Sequence, residues 1–345
     1  VNGKASIVDK NHVLCGDETY ECDNLLLCAG SETFIPPIPG IDTVPYWTHR
    51  DALDNKELPK SLVVIGGGVI GMEFASFFNS LGVEVTVIEM LDEILGGMDK
   101  ELSAMLRAEY AKRGIKFMLN TKVVSLDGSA GENGETQVRV NYENAEGTGF
   151  SVAEKLLMSV GRRPVTKGFG LENLNPEKTE RGNIRVDGQM RTSVTGVYAC
   201  GDLTGFSLLA HTAVREAEVA VHAVLGKKDC MSYRAIPGVV YTNPEIAGVG
   251  DTEEALQKKG IPYRTVKLPM AYSGRFVAEN EGVNGMCKLL LAEDDTVLGA
   301  HVLGNPASEI ITLAGMAVEL KLTAAEWKKI VFPHPTVGEI FKEAL

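Results

Sequence analysis

The sequence predicts an α/β protein built on a Rossmann-like unit, with an α+β unit closing the chain. Three observations carry this. Gly66-x-Gly68-x-x-Gly71 directly follows the apolar run Leu62-Val63-Val64-Ile65. A second apolar run, beyond the intervening helical segment, ends in the carboxylate Glu89. From about residue 233 strand-like runs dominate, and no further glycine fingerprint occurs.

Taken in order, Lys4 to Leu14 and Thr19 to Leu27 read as short strands, followed by Cys28-Ala29-Gly30-Ser31. The exit Ile35-Pro36-Pro37-Ile38-Pro39-Gly40 is extended, because proline fixes φ and restricts the residue before it. Asp51 to Glu57 is expected as a short helix. After Glu89, Lys100 to Arg113 has helical spacing, with Leu102, Met105, Leu106 and Tyr110 on one face and Gly114 past its end. Ile115 to Leu119 and Lys155 to Val160 read as strands. Val138 to Tyr142 is expected to pair with a neighbour across the polar stretch Asp127 to Glu135. Val197 to Cys200 is a strand delivering Gly201-Asp202, and Leu208 to Leu225 is helical. Further on, Val239 to Thr242, Tyr263 to Leu268, Met286 to Ala292 and Val297 to Leu303 read as strands, with helices at Thr252 to Lys259 and Ala307 to Lys321.

The bulk numbers bound the function. A net charge of −12 argues against nucleic acid or an anionic membrane as partner. At 44% hydrophobic residues the composition is that of an ordinary globular chain, with no apolar run of spanning length. The six cysteines form neither C-x-x-C nor a zinc-type cluster, so no metal is expected. Cys15 and Cys22 flank hairpin-type residues, but thiols in a reducing compartment are the expectation.

The glycine motif has a physical reading. Gly66 permits the tight turn, Gly68 lets backbone approach a pyrophosphate, and Gly71 lets helix and strand pack closely. The helix N-terminus, at Val69 and Ile70, offers N–H groups and partial positive charge to phosphate. Glu89 can accept from ribose hydroxyls and would repel a 2′-phosphate, and Met90, Leu91 and Asp92 supply no arginine. That points to NAD over NADP, although the motif alone also suits the adenosine half of FAD. Asp202 is placed to bind a polyol hydroxyl of a cofactor; the equal alternative is an ordinary helix cap.

In order and spacing, Ala29-Gly30-Ser31, the glycine turn with Glu89, Val160-Gly161-Arg162, Gly201-Asp202, Leu209-Ala210-His211, and His334-Pro335-Thr336 with Glu339 resemble one family. It is the flavin-dependent pyridine nucleotide–disulfide oxidoreductases. The resemblance implies a Rossmann-like NAD domain inserted in a partial FAD domain, followed by an α+β dimerisation domain. The corresponding segments are 1–57 and 163–232 for FAD, 58–162 for NAD, and 233–345 for dimerisation. The NAD preference and Leu209-Ala210-His211 favour the branch that oxidises dihydrolipoamide over glutathione-type reductases. The terminal cysteine pair of mercuric reductases is absent.

Carried over by resemblance, Gly30 belongs to the flavin domain's exit. Asp202 binds the flavin ribityl chain, and Leu208, Leu209, Ala210 and His211 run beside the flavin. Gly161 lies near the nicotinamide, and Glu73 where nicotinamide and flavin meet. His334 and Glu339 carry the acid–base chemistry: a dithiol must lose a proton to react, an imidazole can take it, and a carboxylate orients the ring. Pro335 invites a cis bond. In the family this base serves the other subunit, which implies a homodimer. The implied reaction oxidises a small-molecule dithiol or a lipoyl domain, passing electrons through FAD to NAD. A 2-oxo acid dehydrogenase complex is an allowed partner, and the cytoplasm, or the mitochondrial matrix in a eukaryote, the expected location.

The sequence also departs from the pattern. It contains no FAD-type G-x-G-x-x-G before residue 66, no C-x-x-x-x-C pair, and no lysine to partner Glu73. Cys28-Ala29 stands where Ala-Thr is usual. The chain is therefore expected to be a fragment, inactive alone, of a longer enzyme. The alternatives are a non-catalytic NAD-binding dimerisation module, or another NAD(P)H-dependent disulfide reductase of the family.

Overall fold

The computed structural model describes residues 1–130 and 136–345. Two compact units emerge, Val1–Phe34 with Arg162–Tyr233, and Ile35–Gly161 with Arg234–Leu345. Residues 35–57 thus cluster with the second unit.

In the first unit, each N-terminal run breaks in two. Asp9 Oδ1 accepts the Asn11 N–H at 2.8 Å, and this local turn ends Ala5–Asp9 and returns the chain as His12–Cys15. The second run divides into Glu18–Glu21 and Leu25–Leu27. Cys15 pairs with Glu18 while the Cys22 N–H bonds to Asn11, so those thiols do not meet, and all six cysteines are free. Leu25–Leu27 pairs in parallel with Val197–Ala199, and Ser31–Thr33 pairs antiparallel with Arg162–Pro164. Strand alternation divides the core. Val197 and Ala199 pack with Ile7, Leu27, Leu171 and Ile184, whereas Tyr198 packs with Val219, Ala220 and Ala223 of helix Ala210–Val224.

In the second unit, a parallel sheet runs in the order Lys155–Met158, Ser61–Ile65, Glu84–Ile88, Lys116–Met118. Leu62 and Val64 face one core with Met72, Phe78 and Leu102, while Val63 and Ile65 face another with Ile88 and Met158. A strand buried on both faces reads as an unbroken apolar run, which is why this segment was so plain. Helices Val69–Ser80 and Lys100–Lys112 flank it, the second ending before Gly114 at φ +96°. The expected helix Asp51 to Glu57 is instead His49–Asp54, because a Thr48–Asp51 capping box starts it earlier and Asn55 is extended. Strands Lys122–Ala130, Thr136–Asn144 and Gly147–Ala153 form an antiparallel sheet. Residues 131–135 of the anticipated polar stretch lie outside the described residues.

The rest of this unit is a five-stranded antiparallel sheet ordered Gly238–Val240, Ile246–Gly250, Val297–Leu303, Met286–Leu291, Arg264–Pro269. Helix Ala307–Glu319 covers it through Ile310, Ile311, Ala314 and Val318. Ile246–Gly250 is an interior strand with no sequence forecast; its two glycines and its alanine carry no strand signature. Among the described residues no helix is long and apolar enough to cross a membrane.

Candidate active site

The glycine turn is built by close approach. Gly66 has φ +99°, and a Cβ there would stand 2.6 Å from the Ser159 carbonyl oxygen. A Cβ at Gly71 would stand 2.0 Å from the Gly66 oxygen and 2.7 Å from Ser159 Oγ. Ser159, which sequence reasoning missed, donates its hydroxyl to the Ile65 and Gly66 carbonyls at 2.9 Å each. Gly68 differs: a Cβ there meets nothing within 4 Å, so its bareness opens a surface rather than relieving a packing clash. It caps Val69–Ser80 without a side-chain bond, and the first N–H groups of that helix have no intrahelical acceptor.

Glu89 reaches back to this turn. One carboxylate oxygen accepts the Gly67 N–H at 2.6 Å, and the other accepts the Leu91 N–H at 2.8 Å. The acid is thus fixed beside the helix N-terminus while keeping lone pairs for other donors. At the end of the neighbouring strand, Gly161 has φ +132° and open space where a Cβ would be.

Glu73, one turn into the helix, is half-buried. It accepts the Tyr241 N–H at 2.9 Å. Burial pushes its carboxyl above the usual range, with the Tyr241 bond opposing. The partner it finds in this chain is thus a backbone amide.

The first unit carries a second cluster. Gly30 has φ +71°. Ser31 hydrogen-bonds through its hydroxyl to the Asp202 carboxylate. Arg162 donates Nε to Ser31 Oγ at 2.6 Å and Nη2 to the Ser31 carbonyl at 2.7 Å, and its Nε lies 3.8 Å from Asp202. Asp202 is therefore not the cap of the following helix: that helix starts at Ala210 with Leu209 in the cap position, and the aspartate faces Ser31 and Arg162 instead. Leu208, Ala210 and His211 are exposed, and Leu209 is half-exposed. Glu216 fixes the turn from beneath. Fully buried, it accepts the Gly201 N–H and the Tyr233 hydroxyl at 2.6 Å each, and burial raises its carboxyl. The sequence did carry a signal for Glu216, a lone acid in helical register with the apolar residues Val219, Ala220 and Ala223.

The C-terminal pair meets. His334 Nδ1 lies 3.0 Å from Glu339 Oε1 after a cis His334–Pro335 bond. Glu339 Oε2 accepts the Thr336 N–H at 2.7 Å, completing a capping box for the turn Val337–Glu339. That backbone bond, opposed by burial and aided by His334, holds the Glu339 carboxyl below its ordinary range. An ionised carboxylate only accepts, so Nδ1 carries the proton and Nε2 is the free lone pair of the neutral ring. The His334 side chain is 83% exposed. Nearby lies an apolar groove of 590 Å³ lined by Leu313, Met316, Leu320, Ile330 and Val331.

Comparison with known proteins gives the family of the chain. The family model "Pyridine nucleotide-disulphide oxidoreductase" matches residues 1–217, and that family's dimerisation domain matches 236–345. The chain is 38% identical to the mitochondrial dihydrolipoyl dehydrogenase of Homo sapiens over its whole length, covering 68% of that protein. It superposes on the HOCl-induced flavoprotein disulfide reductase RclA from Escherichia coli with TM-score 0.88 at 27% identity, covering all of this chain and 78% of that one. For LpdA from Mycobacterium tuberculosis the TM-score is 0.88 at 28% identity, covering all of this chain and 76% of that one.

Proposed function

The chain belongs to the pyridine nucleotide-disulphide oxidoreductase family, and within it we propose the NAD-dependent oxidation of dihydrolipoamide. The observation that carries the dithiol chemistry is the His334–Glu339 pair. A free thiol titrates near pH 8.5, so at neutral pH it reacts only after giving up a proton. Nε2 of His334 accepts that proton. Glu339, held ionised by the Thr336 N–H, steadies the imidazolium that results.

The same reading assigns the nucleotide to segment 58–162. Gly66, Gly68 and Gly71 shape the turn, Val69 and Ile70 present helix N–H groups to the pyrophosphate, and Glu89 takes the ribose hydroxyls. Gly161 leaves room near the nicotinamide, and Glu73 borders it. Segments 1–57 and 163–232 would hold FAD through Gly30, Asp202 and the stretch Leu208, Leu209, Ala210, His211. The half-exposed Asp202 carboxylate, oriented by Ser31 and Arg162, suits a polyol hydroxyl. When bound, the flavin supplies two-electron exchange between dithiol and nicotinamide.

Segment 233–345 would form the homodimer, for which the apolar groove beside His334 offers surface. A lipoyl domain, as in a 2-oxo acid dehydrogenase complex, is the macromolecular form of the same substrate. The cytoplasm, or a mitochondrial matrix, supplies the setting.

The test is a substrate panel on the natural gene product: dihydrolipoamide, reduced glutathione and reduced coenzyme A, each with NAD⁺ and NADP⁺. Preference for dihydrolipoamide with NAD⁺ supports the reading; preference for another thiol, or for NADP⁺, refutes it.

A further inference from the structure

Cys28 and Cys200 end the two parallel strands of the first unit. Each lies one residue past the register partners Leu27 and Ala199, so both side chains leave the same face. Neighbouring strands run about 4.8 Å apart, within the Cα separation that a disulfide spans. The two sulfurs are 3.3 Å from each other, joined by a thiol hydrogen bond. Closing the bond needs an approach of roughly 1.3 Å between the sulfurs.

The two thiols are unequal. Cys28 is exposed and Cys200 is buried. Hydrogen bonding from Cys200 pulls the Cys28 thiol down to about 7, against the opposing effect of burial. The same bond, burial, the Cys28 charge and the Glu216 carboxylate push Cys200 up. One sulfur is thus exposed and the more acidic, and the other is buried behind it and less acidic, the division of labour of an attacking and a resolving thiol.

We propose that Cys28 and Cys200 form a reversible redox dithiol that small disulfides oxidise by exchange. The Cys28 thiolate attacks one sulfur of R–S–S–R, forming Cys28–S–S–R and releasing RS⁻, which takes a proton from solvent. Cys200 loses its proton to solvent and attacks the Cys28 sulfur, forming the Cys28–Cys200 bond and releasing the second RS⁻, which is likewise protonated. Counted from the dithiol, the protein loses two electrons and two protons, and the small disulfide gains them to become two thiols.

Beyond this pair the chain runs through Ala29 to Gly30-Ser31 on one side and directly into the turn Gly201-Asp202 on the other. Oxidation therefore ties together the two strand ends that present the Ser31–Asp202–Arg162 cluster.

The test uses the reduced chain incubated with oxidised glutathione, alkylated, and mapped without reduction. The wild-type protein should lose the mass of two hydrogens and yield one cross-linked peptide pair containing Cys28 and Cys200. The Cys200→Ala variant should instead keep glutathione on Cys28, and Cys28→Ser should acquire no glutathione at Cys200. Wild-type protein that retains glutathione on Cys28, or whose two thiols both stay free under conditions that oxidise dithiothreitol, would overturn the proposal. The wild-type map decides this even where a variant fails to fold.

Discussion

Oε1 of Glu339 lies 3.0 Å from Nδ1 of His334, while the second oxygen of the same carboxylate caps the turn at Thr336. One side chain therefore fixes both the backbone and the imidazole. The proposed base is positioned by a capping box rather than by burial.

That dual role separates two variants. His334→Gln should lower turnover with dithiol by about 10²–10⁴-fold, the usual worth of a general base, while melting is unchanged because the ring is exposed. Glu339→Ala should lower turnover and also lower the melting temperature through the lost half of the capping box. Parallel thermal melts and steady-state assays check both. Because the Glu339 carboxyl is depressed in the fold, its contribution is present above the ordinary carboxylate range and lost as pH falls through its lowered value.

Glu89 is predicted to set the choice of nucleotide. Charge-assisted hydrogen bonds contribute roughly 1.5–3 kcal/mol each. Glu89→Ala should thus weaken NADH about 10-fold to 100-fold with a smaller effect on NADPH, as fluorescence titration of each nucleotide would show. Equal losses for both nucleotides would mean that Glu89 only braces the Gly67 turn.

The glycines of the turn should fall into two classes. Gly71→Ala places a methyl 2.0 Å from the Gly66 oxygen, and such overpacking costs about 1–3 kcal/mol or more. Gly68→Ala meets nothing within 4 Å and has φ −72°, so its melting should stay near wild type while nucleotide affinity drops. Calorimetry with and without NADH distinguishes them.

Lys288 is predicted to be a structural ion. It is 1% exposed and lies 2.7 Å from buried Asp99 and 2.9 Å from Glu101, with Glu253 also in contact. Burial draws its ammonium down, but bonds to Asp99, Glu253 and Glu101 outweigh this and hold it above its ordinary value. Glu101 and Glu253 are depressed despite burial, by hydrogen bonds to Lys267 and Lys288 in the first case and to Lys288 and Thr265 in the second. Lys288→Met should destabilise by about 3–5 kcal/mol, because Asp99 is left buried without a counter-charge. The two glutamates stabilise above the carboxylate range, and this is lost as pH falls through their lowered values. The variant should therefore also show a shallower acid limb in urea melts.

The parallel sheet was the most legible part of the fold, since Leu62 to Ile65 buries both faces and the close approaches at Gly66 and Gly71 leave no room for a side chain. Ile246–Gly250 was invisible because its place inside the sheet is set by its neighbours Gly238–Val240 and Val297–Leu303. For the candidate site, residue types were readable but partners were not. Nothing local to Asp202 announces Ser31, more than a hundred residues earlier. The Cys28–Cys200 approach was equally hidden, because strand order, not spacing, brings the two together. Thr336-x-x-Glu339 was present as a capping-box pattern, yet its service to His334 depends on the conformation that the turn adopts.

The most direct measurement compares wild type and His334→Gln of the natural gene product in two reactions: dihydrolipoamide oxidation by NAD⁺, and NADH oxidation by a small artificial electron acceptor. The account predicts a loss of about 10²–10⁴-fold in the first and little change in the second, since only the first needs a thiol proton removed. Equal loss in both, or loss in neither, would contradict the assignment of His334 as the base for the dithiol.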